Sequence, residues 1–206
     1  MYATAQENIV ELNTRSTTHK LPQRRASQNG LLAATRQEIL RSGWRRFNLA
    51  AVLDQAQATE QDMETWWGSE GAMIVAAVTE LIHPPVVEAQ IYDLERFCRL
   101  VDPIVEFAGT NDGAALMRAC LLAAGDDPQA SAAFREYFKK TFKSAVRQAL
   151  AQSSAQKLIS SNYDVDDSCE LLYGPLWHRL VTLRAPLRGN CTLRAVAGLL
   201  NTLQRG

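Results

Sequence analysis

Between about residues 87 and 204 the apolar side chains recur at intervals of three and four, in segment after segment. This period admits helices packed on one another and little else. The segments run roughly 87 to 108, 112 to 124, 128 to 152, 166 to 183 and 191 to 204. They are separated by Gly109-Thr110-Asn111, by Gly125-Asp126-Asp127-Pro128, by a Ser/Asn-containing stretch around 153 to 163, and by Arg184 to Asn190. No alternating β-branched run competes with this pattern, so the fold class is all-α. The 11 glycines and 7 prolines of the 206 residues agree, being few for a turn-rich β chain. A chain of this length buries a sizeable core without needing a metal or a disulfide.

The first 87 residues are organised differently. Residues 1–26 are polar, carry Pro22 near their end and show no apolar period, which predicts a flexible basic arm. Ser27 can cap a helix whose apolar face is Leu31, Leu32, Thr35, Ile39 and Leu40, with Gly43 as its stop. Trp44 and Phe47 follow. Asn48 can cap a second helix from Leu49 to Ala56, Ala56-Gln57-Ala58 supplies a turn, and Thr59 can cap a third from Glu60 to Trp66. Ser69 caps a fourth, Glu70 to about Ile82, and His83-Pro84-Pro85 cannot continue it. Short helices joined by tight turns are the layout of a helix-turn-helix, whose later helix can enter the DNA major groove.

Net charge is zero, with 22 basic and 22 acidic residues, but the charge is unevenly placed. From Met1 to Asn48 the basic residues are Arg15, Lys20, Arg24, Arg25, Arg36, Arg41, Arg45 and Arg46, against Glu7, Glu11 and Glu38. From Leu49 to Met73 there is no lysine or arginine, while Asp54, Glu60, Asp62, Glu64 and Glu70 are acidic. A basic flank suits phosphate, and an acidic helix opposes it.

Other function classes find less support. Cys98, Cys120, Cys169 and Cys191 form no CxxC pair and have no histidine at ligand spacing, so neither a metal nor a cofactor is expected. No stretch of 18 apolar residues exists and no apolar run opens the chain, which points to a cytoplasmic protein without a membrane span. No phosphate loop and no nucleophile with a base is visible, and the chain is not expected to be an enzyme.

The stretch Gly43-Trp44-x-x-Phe47-Asn48-Leu49-x-x-Val52-x-x-x-Ala56-x-Ala58-Thr59, continued by Met63, Trp67, Ser69, Ala72 and Met73, resembles the helix-turn-helix pattern of the TetR family of transcription regulators. In the C-terminal half, Asp127-Pro128 with Phe134-Arg135, and Leu171-Leu172-Tyr173-Gly174-Pro175-Leu176-Trp177-x-Arg179-Leu180, are similar to the ligand domain of one branch of that family. The resemblance implies about nine helices. It implies a flexible arm at 1–26, a DNA-binding-like three-helix unit at 27–73 and a ligand-binding and dimerisation unit at 74–206. The sequence departs from the family pattern at Glu64, where a tyrosine is usual, at Glu70, where a lysine is usual, and at Gln57, where the turn glycine stands.

These readings name candidate residues. Arg24, Arg25, Arg45 and Arg46 are expected to contact operator phosphates. Gln61, Asp62 and Thr65 are expected to face bases, with Asn48, Thr59 and Trp66 beside them. Glu64 and Glu70 are both expected on the solvent face. An effector pocket, implied by the resemblance, has Phe97, Leu100, Met117, Phe138 and Trp177 as candidate walls. Leu172, Leu176, Leu180 and Leu183 with Val196, Leu199, Leu200 and Leu203 offer two apolar faces for a homodimer, on the argument that they cannot all face one monomer core. Gly174-Pro175 is expected to bend the penultimate helix. The partners implied are double-stranded DNA, a small-molecule effector and a second copy of the chain. The alternative is a TetR-like protein that has lost operator binding and acts through a protein partner or a ligand.

Overall fold

The structure, a computed structural model, describes residues 27–87 and 93–203, and among these every regular element is helical. The N-terminal helices are α1 (Gln28–Ser42), α2 (Leu49–Ala56), α3 (Glu60–Trp67) and α4 (Glu70–Thr79), with a 3-10 turn at Trp44–Arg46. The larger set is α5 (Asp93–Phe107), α6 (Asn111–Asp126), α7 (Pro128–Phe138), α8 (Ser144–Ala155), α9 (Val165–Val181) and α10 (Gly189–Leu203). A π-helical segment, Lys139–Lys143, joins α7 to α8 without a break. The predicted arm, with Arg24 and Arg25, lies outside the described residues.

Local chemistry accounts for the helix starts. Ser27, Asn48, Thr59, Ser69, Thr110, Asp127 and Asp164 each stand in extended backbone and accept a backbone N–H from the first turn that follows. The fourth helix stops at Thr79, three residues short of the expected end, and His83-Pro84-Pro85 follows as irregular chain. α9 runs helical through Pro175, whose exposed position keeps the lost backbone donor on the solvent side.

Two apolar cores result. The small one joins Leu31, Leu32 and Ala34 of α1 with Val52 and Leu53 of α2, Met63 of α3, and Met73 and Ala77 of α4. The large one is built from α5 to α10 and also takes Ile39 from α1 and Ile74, Val75 and Val78 from α4. Both α1 and α4 therefore present one face to each core, and α4 packs closely on α6 and α7 as well as on α1. A shift of α4 has to be felt in both cores, because packed interiors transmit displacement.

Leu172, Leu176, Leu180, Val196, Leu199 and Leu203 all lie in the large core, each 7% exposed or less. The expectation that such residues cannot all face one monomer core is thus corrected. α9 and α10 close over α5, α6 and α8, and their apolar faces are used up inside the chain. Only Leu183, fully outside the core at 56% exposure, and the half-buried Leu200 remain accessible from that set.

Candidate nucleic-acid interface

The helix-turn-helix is α2, the turn at Gln57-Ala58, and α3. Asn48 Oδ1 accepts from Ala51 N–H at 3.2 Å and starts α2. Gln57 ends it in the left-handed region, φ +51°, with its N–H on the carbonyl of Asp54. That conformation is why a glycine suits the position and why glutamine is strained there. Thr59 and Asp62 then close a reciprocal cap: Asp62 N–H donates to Thr59 Oγ1 at 3.2 Å, and Thr59 N–H donates to Asp62 Oδ2 at 2.9 Å. The Thr59 hydroxyl also donates to the same carboxylate oxygen at 2.7 Å, and these bonds hold the Asp62 carboxyl below its usual range. Asp62 and Thr59 are engaged with each other, so they aim the helix rather than reach outward.

What α3 leaves open to solvent is Glu60, Gln61, Glu64 and Thr65, while Met63 is buried in the small core. Trp66 and Trp67 are both half-buried and meet edge to face, ring centres 5.5 Å apart, against that core. Trp66, expected beside the base-facing residues, is thus packed against the small core as Trp67 is, and each ring has one buried side.

The basic flank changes character once the partners are known. Arg36 pairs with Glu80 at 2.9 Å and Arg41 with the buried Glu38 at 2.6 Å. Arg45 and Arg46, exposed on the 3-10 turn, have no ion-pair partner among the described residues. They are the cations this unit leaves for an external anion.

Glu70 is not on the open solvent face, which corrects the expectation. It sits half-buried at the start of α4, where burial and then the nearby Asp127 carboxylate raise its pKa. Asp127 itself caps α7, accepting from Gln129 N–H at 2.7 Å and Ala130 N–H at 3.2 Å. Burial pushes the Asp127 carboxyl up, but hydrogen bonds from Ser69 and the backbone N–H groups of Ala130, Gln129 and Gly71 outweigh it and hold it low. One carboxylate thus bridges the N-termini of α4 and α7, a place where both helix dipoles favour negative charge. Gly71 is required there, since a Cβ would come within 2.5 Å of an Asp127 oxygen.

In the C-terminal helices Phe134, Tyr137, Phe138, Phe142, Tyr173 and Trp177 form a connected aromatic group, with Phe138 and Tyr173 at 5.1 Å and Tyr173 and Trp177 at 6.0 Å. Tyr173 Oη donates to the Leu100 carbonyl at 2.9 Å, and burial raises its phenol pKa. Phe138, Tyr173 and Trp177 line a cleft of about 540 Å³ whose rim carries Asp166 and Glu170. Of the candidate pocket walls, Phe138 and Trp177 border this cleft, while Phe97, Leu100 and Met117 are buried in the large core. Tyr173, Cys169 and Gly174, with Asp166 and Glu170 at the rim, are lining residues that sequence reasoning missed. Among the described residues no group of His, Cys, Asp and Glu could hold a metal ion, and no helix is long and apolar enough to cross a membrane.

Residues 93–199 match the family described as tetracyclin repressor-like, C-terminal domain. The fold is similar to that of GusR from Salmonella enterica (15% identity, TM-score 0.60, 92% of this chain and 99% of that one). It is also similar to a TetR transcriptional regulator from Agrobacterium tumefaciens (12% identity, TM-score 0.61, 85% and 92%) and a transcriptional regulator from Rhodococcus sp. Rha1 (14%, 0.61, 87% and 97%). Among curated proteins none matches the sequence. With more than half of the chain inside the matched family and the helix-turn-helix in its expected place before it, the chain belongs to the TetR family of transcription regulators.

Proposed function

We propose that the chain is a dimeric regulator that binds double-stranded DNA through α2 and α3 and responds to a small-molecule effector held by its C-terminal helices. In this reading residues 27–73 are the DNA-facing unit, 74–206 the sensing and dimer unit, and 1–26 a basic arm, all acting in the cytoplasm without catalysis. The observation that carries it is a capped α3 presenting Gln61, Glu64 and Thr65 to solvent, in a unit whose turn before α2 carries Arg45 and Arg46 without an ion-pair partner among the described residues. Base edges are read by such polar side chains, and guanidinium groups position the protein on phosphates. The aromatic cleft at Phe138, Tyr173 and Trp177 supports an effector site, being in the size range of small-molecule pockets, roughly 300–1,000 Å³.

The test is a salt titration of binding to the DNA upstream of the gene. Wild type should bind at low salt, and Arg45→Ala with Arg46→Ala should reduce the slope of log K against log salt by roughly 3 to 4 in a dimer, at about 0.9 per phosphate lost. An unchanged slope sinks the assignment of these arginines. Glu60 and Glu64, exposed and acidic on α3, favour a second reading in which operator binding is lost and α3 meets a protein partner. Glu64→Tyr distinguishes the two. If it restores tight binding to the same DNA, the first reading holds; if neither it nor wild type binds any duplex offered, the second takes its place.

A further inference from the structure

A second cleft, of about 550 Å³, opens where the end of α1 and the 3-10 turn meet α6 and the end of α9. Trp44 and four arginines, Arg45, Arg46, Arg118 and Arg184, line it. None of the four ion-pairs with a carboxylate among the described residues. Arginines at helix C-termini often do no more than complement the dipole, and Arg118 does this in part: its Nε–H donates to the Leu180 carbonyl at 2.8 Å. That bond uses one edge of the guanidinium. The two terminal amino groups, which form the fork that matches phosphate and carboxylate oxygens, have no protein partner among the described residues.

Among the described residues the surroundings hold like charges together without an ion-pairing carboxylate. Burial and then the neighbouring Arg184 charge lower the Arg118 pKa, and no carboxylate acts on it in the other direction. Arg184 stands in left-handed backbone, φ +50°, a conformation that is strained for a non-glycine residue. Strain of this kind persists only where the surrounding fold imposes it. Four arginines, one of them on a strained residue and two of them close enough for their charges to act on each other, line one concave space with Trp44, Leu122 and Val181, a lining that suits an anion with an apolar part.

We propose that this cleft binds a small polyanion of the phosphoryl or carboxylate type, clamped by Arg118 and Arg184 with Arg45 and Arg46, and that occupancy withdraws Arg45 and Arg46 from DNA. Binding stands on the cleft alone; the competition rests on the DNA reading above.

Isothermal titration of the full chain with pyrophosphate and, separately, citrate tests it, the two arms telling phosphoryl from carboxylate chemistry. At least one should saturate at one anion per chain, and Arg118→Gln and Arg184→Gly should each weaken it tenfold or more. Arg184→Gly keeps the trial decisive, because glycine is at ease at that backbone position and this variant should melt no lower than wild type. Failure of both anions to saturate below the millimolar range, or wild-type affinity in both variants, overturns the site. For the competition, DNA binding is followed by fluorescence anisotropy at matched ionic strength. The saturating anion should weaken wild-type binding at least tenfold and leave Arg184→Gly unaffected. Anion binding without any effect on DNA overturns the competition and leaves the site standing.

Discussion

Single residues show how the environment sets what a side chain can do. Gln57 occupies a left-handed position at the turn of the helix-turn-helix, so Gln57→Gly should stabilise the chain by about 1 kcal/mol, read as a raised midpoint in urea. Glu70 gives a pH-dependent case. Its folded pKa is raised above the ordinary 4.5 by burial and Asp127, so its stability contribution is complete below that value and is lost as pH rises through the folded pKa. Glu70→Gln should therefore raise the thermal midpoint at pH 7, with the gain shrinking to nothing below about pH 4.5. A gain of the same size at pH 4 and pH 7 would mean that ionisation of Glu70 is not the cause. Asp127 has the opposite sign: its lowered pKa makes the α4–α7 bridge weaken as pH falls below the ordinary 3.8.

The elements show where rules of local chemistry suffice. Six of the helix starts carry a Ser, Thr or Asp cap and a seventh carries Asn48, each at a position legible from the residue type before an apolar run. Removing the cap of α3 by Thr59→Ala should cost about 1 kcal/mol in urea unfolding, because it takes away the hydroxyl that accepts from Asp62 N–H and donates to the Asp62 carboxylate and leaves only the bond from the residue 59 backbone N–H. The long helix is less straightforward. Phe134, Phe138, Phe142 and Val146 recur at intervals of four, and each such step over-rotates an ordinary helix of 3.6 residues per turn. The π-helical segment at Lys139–Lys143 widens the turn within that repeat and brings Phe142 and Val146 into the core, while Phe134 and Phe138 stay half-buried at the aromatic cleft.

At the scale of the whole molecule, α9 and α10 have their apolar faces inside the chain, and the surface they leave carries Leu171, Pro175 and His178 on α9 and Leu193 and Ala197 on α10. We propose that a dimer seam uses this outer surface. Leu171→Arg with Leu193→Arg should then give a folded monomer by light scattering, with helical circular dichroism retained. Leu180→Arg should unfold the chain instead, since a charge buried without a partner in a core of 0% exposure costs several kcal/mol, on the order of 3–5. A folded Leu180→Arg monomer would place the seam back on the residues now seen in the core.

Apolar period, caps and prolines act within a few residues of where they are written, and they suffice for the class of fold, the order of the helices, most of their ends and the helix-turn-helix. The sequence also carried the family, through motifs that are themselves short. Which leucines face the core and which face outward was decided only by tertiary packing, because α9 and α10 offer more apolar surface than one contact needs and only the neighbouring helices choose among its sides. The same holds for charge. Arg36 and Arg41 read like Arg45 and Arg46 along the chain, yet the fold supplies Glu80 and Glu38 to the first two and, among the described residues, no carboxylate to the others. The convergence of Arg45 and Arg46 with Arg118 and Arg184 joins residues more than seventy positions apart, and a pairing across that distance is set by how α1 lies on α6, not by anything the residues themselves encode locally.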